Sequence, residues 1–231
     1  MNSKDYQNIL KDNPFIPVKD AVYKLLYDQI ISLKIAPGTV VNASAIADAL
    51  NISRSPVHAA IMQLENDNLV VKKAGKRMQV APVRYQDCCQ LAETRIGIEC
   101  AAAYALAPVI TDAQLAKLKK ILEEYNELNT CFNIEKYVAL DDAFHTSIVE
   151  FTGNPYLINT YNLIRGSILR YRWYMSPRIH HGKLEINEYR SHLSIYDALV
   201  SHHASLARDE MKVSLDRLFA VTYFLKCEED E

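Results

Sequence analysis

At 231 residues the chain is long enough for one large compact unit or two smaller ones. Its 49% apolar and 23% charged content, with only 6 Gly and 8 Pro, excludes a disordered or fibrous protein. No run approaches the roughly 20 apolar residues that span a bilayer, and Met1 to Lys11 lack the apolar core of a signal peptide, so no membrane contact and a cytoplasmic location are expected. Five cysteines, at positions 88, 89, 100, 131 and 227, show no CxxC spacing, which argues against a disulfide framework or a zinc ribbon. The net charge of −2 hides an asymmetry. Residues 1–83 carry 10 basic against 7 acidic side chains, the remainder 16 against 21, so a polyanionic partner is expected for the first part only.

In chain order, Val22, Leu25, Leu26, Ile30 and Ile31 recur at helical spacing and predict a first helix over Val18 to Ile31, stopped by Pro37-Gly38. A short second helix fits Ala43 to Leu50 with Asn42 as its cap, and Ser53 can cap a third. In that third helix Val57, Ala60, Ile61 and Leu64 follow the i, i+3, i+4, i+7 rule and face a core, leaving Ser55, His58, Ala59, Met62 and Asn66 outward. Leu69 to Val71 and Met78 to Val80 are short β-prone runs around Lys72-Lys73-Ala74-Gly75-Lys76-Arg77, a hairpin with a cationic tip. Three helices and a basic hairpin describe a winged helix-turn-helix, expected over 1–83.

Beyond Arg84 the pattern is helical, with segments near 85–107, 112–129, 134–152, 156–174, 186–203 and 205–225. They are interrupted by Gly153-Asn154-Pro155 and by a loop expected from Ser176 to Gly182. The fold class is therefore mainly α, with an all-α antiparallel helical bundle over 84–231.

A recognition helix enters the major groove by its N-terminal residues. Ser53, Arg54, Ser55 and His58 occupy that end. Arg54 offers a fork for guanine or phosphate, the serines donate to phosphate, and His58 can meet a base or the backbone. Lys72, Lys73, Lys76 and Arg77 on the wing would touch the neighbouring backbone or minor groove. The bland alternative is a solvated basic face. Against it, Ala36-Pro37-Gly38, Ile46-Ala47-Asp48-Ala49-Leu50, Ser53-Arg54-Ser55-Pro56-Val57 and Leu64-Glu65-Asn66-Asp67-Asn68-Leu69-Val70 together resemble the GntR family of bacterial regulators, nearly throughout the first domain. The resemblance implies binding to a palindromic double-stranded DNA operator as a homodimer. Two positions depart from the family, which usually has Arg where this chain has His58 and Gly where it has Arg77. Gly75 is then the candidate for the tight wing turn.

In the helix over 134–152, Asp141 and His145 stand four residues apart on one face, a spacing that suits one cation but more often marks an Asp–His hydrogen bond. His192 shares a stripe with Ile195, Tyr196 and Leu199, points inward, and needs a partner there. Glu93-Thr94-Arg95-Ile96-Gly97-Ile98-Glu99, Asp141-Asp142-Ala143-Phe144-His145, Gly153-Asn154-Pro155 and Ser191-His192-Leu193 resemble the FadR-type C-terminal domain of the same family. That resemblance implies a divalent metal held by an Asp and three His, aiding a small carboxylate effector. Asp141, His145 and His192 match three of the four positions. The fourth falls on Ser214, leaving three readings: a three-ligand site completed by water or effector, rescue by loop residue His180 or His181, or a metal-free polar pocket. The first is the expectation, with zinc, nickel, iron or manganese as the ion. His203 is unsuited, lying about 16 Å along the expected helix from His192. Arg95 corresponds to a pocket-facing Arg of the family that would pair with a carboxylate; its alternative is a salt bridge to Glu99. Arg170, Tyr171 and Arg172 lie in a tyrosine-rich stretch read as packing.

The expectation is thus a non-enzymatic regulator whose operator affinity answers to a small organic acid. The competing readings are a metal-dependent hydrolase, which lacks any HExxH, nucleophile elbow or phosphate loop, and a purely dimerising second domain.

Overall fold

The computed structural model describes residues 3–73, 75, 77–128, 130–180 and 186–229, with side chains for all of these except 3, 177–180, 186–187 and 218–229. The chain divides into two compact units, Met1–Val83 and Arg84–Glu231.

The first unit contains α1 (Ser3–Asp12), α2 (Val18–Ile31), α3 (Ala43–Leu50), α4 (Arg54–Asn66), β1 (Val70–Lys72) and β2 (Met78–Val80). Helices α2 and α4 pack together because their apolar stripes coincide, burying Val22, Leu25, Leu26 and Ile30 along with Val57, Ala60, Ile61 and Leu64. Asn42 caps α3 as expected, its side chain accepting from the backbone N–H groups of Ser44 at 3.0 Å and Ala45 at 3.2 Å. At the other end Asn51 ends the helix in a left-handed conformation with φ of 55°. The strands pair antiparallel with Val70 opposite Val80, so the first strand runs one residue later than Leu69 to Val71. Gly75 takes the positive φ, 81°, that the wing turn requires. The segment before α3 joins the hairpin edge, Val41 N–H donating to Met78 O at 2.9 Å and Val80 N–H to Thr39 O at 2.9 Å.

Helix α1 is absent from the sequence-based expectation. It carries one strong anchor, Tyr6, which is buried, while Asp5 Oδ2 accepts from Gln29 Nε2 at 3.4 Å. Half-buried Ile9 and Leu10 stand three and four residues after it, a helical spacing confined to a single turn of a polar decapeptide.

The second unit is a helical bundle of α5 (Tyr85–Leu106), α6 (Asp112–Glu127), α7 (Ile134–Phe151), α8 (Pro155–His180), α9 (Ile186–Val200) and α10 (Ala204–Glu229). Helix α5 packs against α7, α8 and α10, and α6 against α7 and α9. Leu106, Leu118, Phe144, Ile148, Ile168, Ile195, Leu199 and Met211 belong to one continuous apolar core.

Two expectations are corrected in this unit. The loop expected from Ser176 is helix as far as His180. Proline fixes φ at a helical value and forfeits one backbone bond, and burial of Met175 and Ser176 holds α8 in place up to Pro177. His181 and Gly182 lie outside the described residues. His203 is not on the helix of His192, because His202 takes a positive φ of 52° after α9. His203 Nδ1 instead accepts from Leu206 N–H at 3.1 Å and opens α10.

The single tryptophan, Trp173, packs in the second unit, so its fluorescence reports that unit alone. Asn42→Ala removes the α3 cap and should destabilise the first unit by about 1 kcal/mol. In urea, the circular-dichroism transition should begin earlier while the Trp173 transition keeps its midpoint; equal shifts in both would contradict independent units.

Candidate functional site

Ser53 sits at the N-cap of α4 without a side-chain capping bond, so its hydroxyl stays available. Arg54 is the first helical residue, and Ser53, Arg54, Ser55 and His58 are all exposed. Buried Val57, Ala60, Ile61 and Leu64 pin the opposite face, which presents these four outward from a rigid helix end where the backbone N–H groups and the helix dipole attract anions. Lys72, Lys73 and Arg77 on the hairpin are exposed too, and Lys73 N–H closes the wing on Arg77 O at 2.9 Å. Lys76 lies outside the described residues.

The second unit brings Asp141, His145 and His192 together as expected, their ligand atoms all within 4.8 Å of one another and every side chain buried. His145 Nε2 is 3.1 Å from His192 Nε2; Asp141 Oδ1 is 3.4 Å from His192 Nε2 and 4.0 Å from His145 Nε2. Ser214 lines the same cavity of about 50 Å³, with Arg172, Glu188 and Arg217. Phe144 and Tyr125 stand edge-on to the His192 ring at 4.7 and 5.0 Å between centroids, which keeps the imidazole rotamer fixed.

Two charged residues extend this cluster. On α5, Arg95 Nε donates to Glu99 Oε1 at 2.6 Å, the two side chains 1% and 0% exposed, and Glu99 Oε2 lies 2.6 Å from His145 Nδ1. On α8, Arg172 Nη1 lies 2.5 Å from Asp141 Oδ1. The salt bridge posed as the alternative role of Arg95 therefore forms, yet both terminal nitrogens of that guanidinium are buried with no hydrogen-bond partner among the described residues. The same holds for Asp141 Oδ2, His192 Nδ1, Arg172 Nε and the hydroxyls of Tyr161 and Tyr171.

Burial pushes the Asp141 carboxyl up, but the Arg172 guanidinium and the two imidazoles outweigh it and hold the group well below the usual range. Glu99 follows the same balance against Arg95 and His145 and is pulled down to about 2. For His145 desolvation outweighs both carboxylates and lowers its pKa. Its Nδ1 lies 2.6 Å from Glu99 Oε2 and its Nε2 faces His192.

Donor separations of 3.1 to 4.0 Å taken alone suit a divalent ion with ligands at roughly 2.0–2.2 Å, and Glu99 backs His145 as outer carboxylates back metal-bound histidines. The surroundings do not complete such a site. Ser214 offers a neutral hydroxyl at the fourth position, His192 Nδ1 has no acceptor among the described residues, and the Asp141 oxygen facing the imidazoles is held by Arg172.

Arg172 is the residue that the sequence reading assigned to packing. The available signal was a charged side chain at a position whose helical neighbours, Ile168 and Met175, are both buried; only the fold shows that its partner is Asp141, on α7.

Residues 18–80 match the family described as bacterial regulatory proteins, gntR family, and residues 90–217 match the FCD domain. The HTH-type transcriptional repressor RspR of Escherichia coli (strain K12) is 27% identical over 195 residues, 81% of each chain. The Nta operon transcriptional regulator of Aminobacter aminovorans is 26% identical over 65% of this chain and 72% of its own. Among solved structures, E. coli McbR/YncC superposes with a TM-score of 0.76 at 18% identity, covering 90% of this chain and 98% of that one. A GntR regulator from Rhodococcus sp. RHA1 gives 0.73 at 21% identity, covering 89% and 97%. These relatives are regulators and not enzymes, which removes the hydrolase reading. The chain belongs to the GntR family of DNA-binding transcription regulators, in the branch that joins a winged helix-turn-helix to an FCD domain.

Proposed function

We propose that this regulator changes its affinity for a palindromic DNA operator when a small carboxylate binds in the second unit. The observation that carries the effector reading is Arg95. Its Nε is committed to Glu99, and its two terminal nitrogens are buried without partners. Buried donors left unpaired cost about 1–3 kcal/mol each, and a carboxylate is the group that a guanidinium fork satisfies bidentately. Arg95 does not itself line the cavity beside Ser214; it connects to that cavity through Glu99 and His145. The cavity, about 50 Å³, holds little more than a carboxyl group, so the rest of an effector needs the bundle to widen. Binding that favours a widened state is the differential contact that regulation requires.

On the DNA side, Ser53, Arg54, Ser55 and His58 are the base and phosphate readers and Lys73, Lys76 and Arg77 the wing contacts. Homodimerisation is part of this reading, and exposed Tyr156 and Leu163, seven residues apart on α8, support it as an apolar stripe for a second copy.

Arg54→Ala should abolish a gel shift with the operator while leaving the circular-dichroism spectrum unchanged; retained affinity would remove Arg54 from the interface. For the effector, removing Arg95 alone would strand Glu99 at a cost of about 3–5 kcal/mol, so Arg95→Met is paired with Glu99→Gln. A panel of small organic acids, acetate, succinate and benzoate among them, should raise the melting temperature of the native protein. At 100 times its dissociation constant a ligand stabilises by about 2.7 kcal/mol. The double variant should fold and show no such rise; an unchanged rise would exclude Arg95 as the carboxylate anchor.

A further inference from the structure

We infer that in this chain the guanidinium of Arg172 takes the place of a divalent ion, so that Asp141, His145 and His192 form a metal-free centre whose cation is part of the protein. The inference concerns the cavity of the effector reading and rests on that reading for its role in sensing.

The first support is position. Asp141 Oδ1 is the oxygen within 4.0 Å of both imidazole Nε2 atoms, and Arg172 Nη1 is on that oxygen at 2.5 Å. An ion bound through that oxygen would share it with a fixed positive charge, in surroundings where both side chains are at most 8% exposed and water screens little.

The second support is charge. Two buried carboxylates, Asp141 and Glu99, face two buried guanidinia, Arg172 and Arg95, and Glu188 and Arg217 add one charge of each sign to the cavity wall. The cluster is balanced as it stands, and a divalent ion would leave two uncompensated positive charges in the core.

The third support is the surroundings of His192. Its Nδ1 is buried with no partner among the described residues, so ligation through Nε2, which places a proton on Nδ1, would leave a buried donor with nothing to receive it, where metal-bound histidines almost always donate to a second group. At the remaining position Ser214 contributes a hydroxyl, a weak ligand for these ions. A built-in cation makes carboxylate sensing independent of metal supply.

The test is calorimetric titration with nickel and with zinc, preceded by elemental analysis of protein purified without an affinity tag. Native protein should carry no stoichiometric ion and bind nickel no more tightly than Asp141→Asn. Arg172→Met keeps the length and removes the charge, and should gain at least about tenfold in nickel affinity. Ser214→His alone, which restores an imidazole and retains Arg172, should gain less than Arg172→Met; the double variant should bind tightest. Melting curves establish which variants fold. A stoichiometric ion in native protein, a folded Arg172→Met with no gain, or tight binding by Ser214→His alone overturns the inference, and the last arm decides even if Arg172→Met does not fold. Carboxylates should still stabilise chelator-treated native protein. If chelation alone abolishes that stabilisation this inference fails and the effector reading stands; if no carboxylate stabilises any form, the effector reading fails and the nickel titrations still decide.

Discussion

A continuous chain of buried charge and hydrogen-bonding groups organises the second unit: Arg95 to Glu99, Glu99 to His145, His145 to His192, His192 to Asp141, Asp141 to Arg172. It ties α5, α7, α9 and α8 across the middle of an apolar bundle. Buried ion pairs of this kind contribute little net stability, because desolvation consumes most of the Coulombic gain and a well-packed apolar replacement often does as well. A bundle already built on Leu106, Leu118, Phe144 and Ile148 has no need of them for folding. Their presence, with several donors and acceptors left unmatched among the described residues, is the feature on which the effector proposal rests.

The first unit solves a different problem by opposite means. Its functional groups are exposed, and rigidity comes from what lies behind them: the packed stripes of α2 and α4, the Asn42 cap on α3 and the positive φ of Gly75 in the wing. Solvated arginine and lysine side chains on such a frame cost nothing to maintain and gain from release of counterions on a phosphate backbone.

The groups of the centre have a common physical sense. Ser214 stands where the resemblance leads to a neutral imidazole, Arg172 brings a positive charge to Asp141, and Asp141 keeps its carboxylate. The anion of the centre is thus retained and matched by a side chain. A guanidinium distributes its charge over a planar fork and is weakly hydrated, which makes it the cation best suited to a dry interior.

Much of this architecture was legible in the residues. The bounds of α2 and α3, the inward set Val57, Ala60, Ile61 and Leu64, and the shared face of Asp141 and His145 follow from helical period and turn residues, because those signals are local or repeat every three to four positions, whereas the meeting with His192, 47 residues on, was legible only through the family resemblance. The spacing of Tyr6, Ile9 and Leu10 in α1 spans one turn only, and burial of Met175 and Ser176 carries α8 past the point where a loop was expected. Arg172 shows the limit most clearly. Its own helix says only that a charge lies among buried positions, and its meaning depends on an aspartate 31 residues earlier on another helix. The sequence by itself determined which residues could carry charge into the core; the tertiary structure decided which charges met, since in a low-dielectric interior the value of a charge lies in what stands within a few ångströms of it.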